Sequence, residues 1–327
     1  MNTIENNFLQ RGYVHMSETT YSYNDSGLGG ALRSLRDQHN ISQVDLCRGI
    51  MSTTKLSRIE TGKDLPSDLE LSLLMDRLHE SGNLLSDLYS SPSADERRSH
   101  FILRNACYFD RWERAEELLW AYEKLSPPSS IPCTQYARLV ELVIQRYQGA
   151  DIPPQEWVSY CIKLLKMTCP DYQPAIDITE LHLTQQEVLI LNAIAVGLME
   201  WNMLRQSQIL LLQLLAFNHS RRDYGDLCAV TRIVLENNLL LCEMKHPFHG
   251  HALETCRRLL SHCSVAGGTY LYCKILRTRR ILLLDLGQEN AANETERIMC
   301  FLYQQLPSHN KIPFEKFLAG SPELFML

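Results

Sequence analysis

The amino-acid sequence predicts an all-α protein: a bundle of five short helices followed by a stack of helical hairpins. Three observations carry this. Apolar residues recur at the i, i+3, i+4, i+7 spacing of helix faces through most of the chain. Capping side chains and glycines punctuate its first quarter. From Ala94 onward no stretch alternates with the period of two that a half-buried strand requires. The 327 residues, 45% hydrophobic with a net charge of −6, have the composition of a globular chain long enough for more than one core.

Residues 1–27 are polar and aperiodic and read as a flexible N-terminal arm, with Met16 as an alternative start. Leu28, Ala31, Leu32 and Leu35 then form the stripe of a first helix that runs to His39. Ser42, with Asp45 three residues on, has the spacing of a capping box and opens a second helix with Leu46, Cys47 and Ile50 inside. Ser52 caps a third, in which Leu56 and Ile59 face inward and Thr53, Thr54, Lys55, Ser57 and Arg58 face out; Gly62 ends it. Ser67 and Glu70 repeat the capping-box spacing before a fourth helix with Leu69, Leu73, Leu74 and Leu78 on its stripe. Leu84, Leu85 and Leu88 suggest a short fifth helix. The turn-rich SSPS at 90–93 places a boundary between a first domain, 28–90, and a second, 94–327.

Three short helices with a turn between the second and third form a helix-turn-helix unit, whose third helix enters the major groove of double-stranded DNA. Between Leu28 and Lys63 six basic side chains (Arg33, Arg36, Arg48, Lys55, Arg58, Lys63) face three acidic ones (Asp37, Asp45, Glu60), a local charge of +3 in an acidic chain. Phosphate contact requires such a local excess. The candidate DNA-contacting residues are therefore Ser52, Thr53, Thr54, Lys55, Ser57, Arg58 and Lys63.

The segments SQVDLCRG and LSRIETGK, with PS opening the following helix, resemble the Xre/Cro-type helix-turn-helix repressors, of lambda-repressor-like fold. That resemblance implies that Gln43 touches a phosphate or base from the start of helix two. It also implies that Arg36 and Glu60 form an ion pair between helices one and three. In RGIMSTTKLSRIE a single residue, Met51, stands where the general pattern has Gly-Val. This shortened turn is similar to the Rgg and PlcR branch, regulators that join this domain to a helical-repeat domain binding a signalling peptide.

Within 94–327 the segments pair into hairpins of tetratricopeptide-like form, most clearly at DRWERAEELL, where a small alanine permits close helix approach. First helices are expected at about 98–109, 134–147, 184–200, 224–244 and 267–286, and second helices at about 112–125, 155–168, 205–217, 249–263 and 290–306. Ala115, Ala252 and Ala291 would occupy the close-contact positions, with Ile209 a looser match. A stack of such hairpins curves and offers a concave groove suited to another polypeptide. Asn192 and Asn238 suit a peptide's backbone amides and carbonyls, while Arg232, Lys274 and Arg277 suit a carboxylate. A homodimer reading two half-sites is the expected route to specificity.

Other chemistry is disfavoured. The eleven cysteines are scattered with no C-x-x-C pair, as reduced, buried thiols would be. His246, His249 and His251 near Cys242 lack the spacing that places metal ligands on one face, so no metal site is assigned. No phosphate loop, nucleophile elbow or zinc-protease motif is present, so neither an enzyme nor a cofactor is expected. The longest apolar runs are too short to span a bilayer and the N-terminus lacks a secretory pattern, which predicts a cytoplasmic protein. The sequence therefore predicts a DNA-binding transcription regulator controlled by a short peptide. The alternative is a regulator whose repeats serve only dimerisation or protein–protein interaction.

Overall fold

A computed structural model describes residues 27–80, 94–126, 130–174, 176–178, 181–220, 226–245, 251–266, 268–307 and 312–320. The expected fifth helix around Leu84, the N-terminal arm, and His246 and His249 lie outside the described residues. The described secondary structure is entirely helical.

The first unit contains α1 (Gly27–Gln38), α2 (Gln43–Cys47), α3 (Thr53–Glu60) and α4 (Asp68–Arg77). Each of the last three begins at a serine that accepts the N–H three residues on: Ser42 from Asp45, Ser52 from Lys55 and Ser67 from Glu70. At α4 the Glu70 carboxylate returns the bond to the Ser67 N–H, closing a full capping box. Leu32, Leu35, Leu46, Leu56, Ile59 and Leu74 fill the core of this unit. The short turn after α2 takes its glycine from Gly49, whose φ of +70° is the left-handed conformation that ends the helix. Helix α4 is buried more widely than a single stripe, because Leu71, Met75 and Arg77 are covered as well as Leu73, Leu74 and Leu78.

The second unit is a succession of helix pairs: α5 (Ala94–Tyr108) with α6 (Trp112–Leu125), α7 (Ile131–Tyr147) with α8 (Pro154–Leu165), α9 (Gln185–Glu200) with α10 (Leu204–Ser220), α11 (Asp226–Met244) with α12 (Ala252–Ala266), and α13 (Gly268–Asp285) with α14 (Glu289–Gln304). Consecutive helices pack on one another, so that one core runs through the stack from Leu103 to Phe317. Prolines at the openings of α7 and α8 sit where their missing N–H is harmless. Ala115 and Ala252 are fully covered at the close-contact positions, but at α14 that place belongs to Ala292, one residue beyond the expected Ala291. At α10 it belongs to Ser207, whose hydroxyl donates to the Ala195 carbonyl at 2.7 Å, whereas Ile209 is half exposed. A further helix, α15 (Phe314–Ala319), was not expected from the sequence. It packs Phe317 against Tyr270 and Tyr303.

Candidate nucleic-acid interface and its connection to the repeats

The third helix presents an outward edge. Ser52, Thr53, Thr54 and Arg58 are exposed on α3 and Lys63 just beyond it, while Leu56 and Ile59 anchor the opposite side in the core. Beneath this edge lies a small polar lock. The Glu60 carboxylate, itself buried, accepts from Arg36 Nε at 2.7 Å and Nη2 at 3.2 Å, and from Gln43 Nε2 at 2.7 Å. The hydrogen bond to Glu60 is the first cause that raises the Arg36 pKa, ahead of the opposing cost of burial. One carboxylate thus joins α1, α2 and α3.

Two of the basic or polar side chains expected on the DNA face are placed otherwise. Lys55 Nζ lies 2.6 and 2.8 Å from the two Glu70 oxygens, so its charge is balanced within the domain by the same carboxylate that caps α4. The Gln43 amide is turned to Glu60 by its nitrogen. Ser52 uses its hydroxyl as the N-cap acceptor, and Ser57 is only partly exposed. Arg58 keeps a loose, solvent-exposed pairing with Asp64 at 3.5 Å. The edge with side chains directed to solvent is therefore Thr53, Thr54, Arg58 and Lys63.

Elsewhere on this unit α4 meets the repeats through Arg77, a charged residue on its apolar stripe. Arg77, fully buried, donates from Nη1 to the carbonyls of Asp45, Leu46 and Arg48, closing the C-terminal end of α2. Its Nη2 donates to both Glu187 oxygens at 3.1 and 3.3 Å, and its Nε to the His182 carbonyl at 3.1 Å. Glu187 in turn accepts from the Thr184 N–H and completes the capping box of α9. Close by, the Gln185 N–H donates to Asp76, and the His79 ring packs against Phe217 of α10 at 5.4 Å. A Cβ on Gly49 would lie 2.3 Å from the Thr168 Cα, so the turn after α2 is pressed against the end of α8.

The residues expected to hold a peptide are distributed unequally. Asn192 and Asn238 are buried and bond each other across α9 and α11 at 2.9 Å, rather than lying open on a groove. They belong to a ladder of polar pairs between first helices, with Gln185 to Thr231 at 2.9 Å and Thr278 to Asn237 at 2.9 Å. Arg232 pairs with Glu236 one turn along α11. Lys274 is buried against Asp110 at 2.9 Å, and Tyr270 donates to the other Asp110 oxygen at 2.9 Å. Burial lowers the Lys274 pKa, and Asp110 opposes that shift. These contacts join α13 to the corner between α5 and α6. Arg277 lines a cleft of about 510 Å³ between that corner, the end of α7, and α15. Among the described residues no group of three or more His, Cys, Asp or Glu side chains could hold a metal ion, and no helix is long and apolar enough to cross a membrane.

Residues 28–88 match the helix-turn-helix domain family. Over 90% of its length the chain shares its fold with PlcR of Bacillus thuringiensis, solved in complex with the peptide PapR7 and DNA: 18% identity, 100% of that chain covered, TM-score 0.55. ComR from S. thermophilus, in its apo form, is similar at 14% identity over 85% of this chain and 94% of the other, with a TM-score of 0.46. No curated protein sequence matches the chain. The protein therefore consists of an N-terminal helix-turn-helix domain on a tetratricopeptide-like helical body.

Proposed function

We propose that this protein is a DNA-binding transcription regulator whose helical body takes up a short peptide and thereby alters operator binding. The observation that carries the DNA-binding part is the outward edge of α3. Two hydroxyls and two basic groups face solvent there, above a core and a Glu60 lock that fix the helix's direction. Arg58 and Lys63 would contact phosphates, and Thr53 and Thr54 base edges. A pair of chains would read two half-sites. Support for peptide control comes from the fold shared with PlcR, and from the wiring of α9, which reaches the first unit through Glu187 and α11 through Gln185 and Asn192. A peptide that favours one packing of the first helices over another would shift the population of domain arrangements through that helix.

Fluorescence anisotropy of labelled operator fragments, selected from random duplex DNA, tests the first part. Specific binding with a steep salt dependence is expected, and no preference among sequences would refute it. Titrating chemically synthesised peptides during that assay tests the second. The exposed Ile298 and Phe301 on α14 favour a second reading, in which the repeats serve chiefly to join protein chains. Peptide-independent operator binding by a stable dimer would select it.

A further inference from the structure

The cleft beside Arg277 is roofed by a piece of the chain itself. Residues 312–320 leave the last hairpin, and the Tyr303 hydroxyl donates to the Ile312 carbonyl at 3.0 Å. Phe317 enters the interior with none of its surface exposed, against Tyr270 and Tyr303, and the Arg277 guanidinium lies 4.9 Å above its ring. Arg277 Nη1 also donates to the Phe317 carbonyl at 2.6 Å. At the opposite rim Lys316 reaches Glu113 at 3.2 Å, with both side chains largely in solvent. A surface pair of that kind contributes little to stability. The segment is held by the buried Phe317 ring, by hydrogen bonds to the Ile312 and Phe317 carbonyls, and by the packing of Phe314 on Tyr303.

The ring and carbonyl of Phe317 are what a peptide ending in an aromatic residue would present, with one difference. A terminal carboxylate would meet the buried Arg277 with a full negative charge and two oxygens, a stronger partner than a neutral carbonyl. The part of the cleft that does not belong to this segment suits an aromatic peptide as well: Trp112 and Tyr147 stack at 4.3 Å as a wall beside Arg277. We propose that residues 312–317 are a tethered occupant of this cleft, and that its ligand in trans is a short peptide with a C-terminal aromatic residue whose carboxylate takes Arg277 and whose ring replaces Phe317. The displaced segment frees the link between the last hairpin and the α5–α6 corner that Lys316 and Glu113 help to make.

The inference rests on the peptide-binding reading of the helical body, but its assay contains no DNA, so the two fail separately. The probe is a synthetic hexapeptide with the sequence of residues 312–317, labelled at its N-terminus and prepared as the free acid and as the C-terminal amide. The full-length chain is expected to bind the acid at least about tenfold more tightly than the amide. Arg277→Gln should abolish that difference, and Phe317→Ala, with its internal competitor weakened, should bind the acid about tenfold more tightly than the unaltered chain. Should Phe317→Ala fail to fold, hydrogen exchange on the unaltered chain decides. Amides of residues 314–320 are expected to lose protection when the acid is added at millimolar concentration. Equal binding of acid and amide, or no binding and no change in exchange at that concentration, overturns the proposal. Binding with no later effect on operator affinity would leave this site standing and remove peptide control.

Discussion

The two sides of the helix-turn-helix unit use the same chemical groups to opposite ends. On its outer side Arg58 pairs loosely with Asp64 in solvent, where the attraction is weak and easily exchanged for a phosphate. On its inner side Arg77 and Glu187 are buried together, and all the donor directions of one guanidinium are answered by four carbonyls and a carboxylate. An exposed arginine is available for a partner; a buried one fixes how its domain sits. Burial sets that difference, because desolvation makes an unpaired interior charge costly and leaves a surface charge nearly indifferent.

Removing the inner group should give the largest effect. Arg77→Ala leaves Glu187 and the last carbonyls of α2 buried without their donor, and is expected to cost about 3–5 kcal/mol, read as a fall in Tm by calorimetry. Replacing both partners, as Arg77→Met with Glu187→Gln, which keeps an acceptor for the Thr184 N–H, should recover the part of that loss that comes from the unpaired buried carboxylate. If the double variant is no more stable than the single one, the pair is not the joint described here.

A pH titration probes the helical body without touching the outer face. His100 packs between Tyr122 and Tyr136, and burial, then the nearby Arg104, lowers its pKa to about 4. Between pH 6.5 and about 4 the unfolded chain binds this proton and the folded chain does not. Stability should therefore fall by up to about 3 kcal/mol as the pH drops through that window. His100→Phe should flatten the profile in chemical denaturation, and an unchanged slope would exclude the histidine as its source.

The outer face should respond in binding and hardly at all in stability. Arg58→Ala and Lys63→Ala are each expected to lower the salt slope of DNA binding by about 1, with stability changed by no more than about 0.5 kcal/mol. Lys55→Ala, because Glu70 already holds that ammonium, should alter the slope less than either. Thr54→Ala is the smallest and most selective change, shifting which operator is preferred by about 1 kcal/mol while leaving the salt slope unaltered. A reversed order for Lys55 and Arg58 would show that Lys55 leaves Glu70 when DNA arrives.

Much of this arrangement was legible before any coordinates. Ser42, Ser52 and Ser67 announce three helix starts because a capping hydroxyl acts on its own local backbone, and the hairpins of the body follow from helical periodicity. What periodicity does not encode is direction in a helix covered on every side. Helix α9 is apolar nearly all round, so nothing in its sequence tells whether Asn192 looks into a groove or into α11, and it bonds Asn238 there. Arg77 carries a local mark, a charged side chain four residues after Leu73 on an otherwise apolar stripe, but the stripe does not say what it meets. Its partner lies more than a hundred residues away, beyond the reach of any local pattern. The six residues of α15 were too few to show a period, with Pro313 before them as the one mark of a start.

The contact of Gly49 with Thr168 has a consequence for the DNA itself. The turn pressed on α8 and Arg77 seated against α9 fasten the first unit to the helical body at this surface. In any pair of chains, the distance and phase between the two reading heads would then be properties of the large bodies. Inserting about five base pairs between half-sites turns the second site to the opposite side of the duplex. A flexible tether would follow it there, whereas a head mounted in this way would let go.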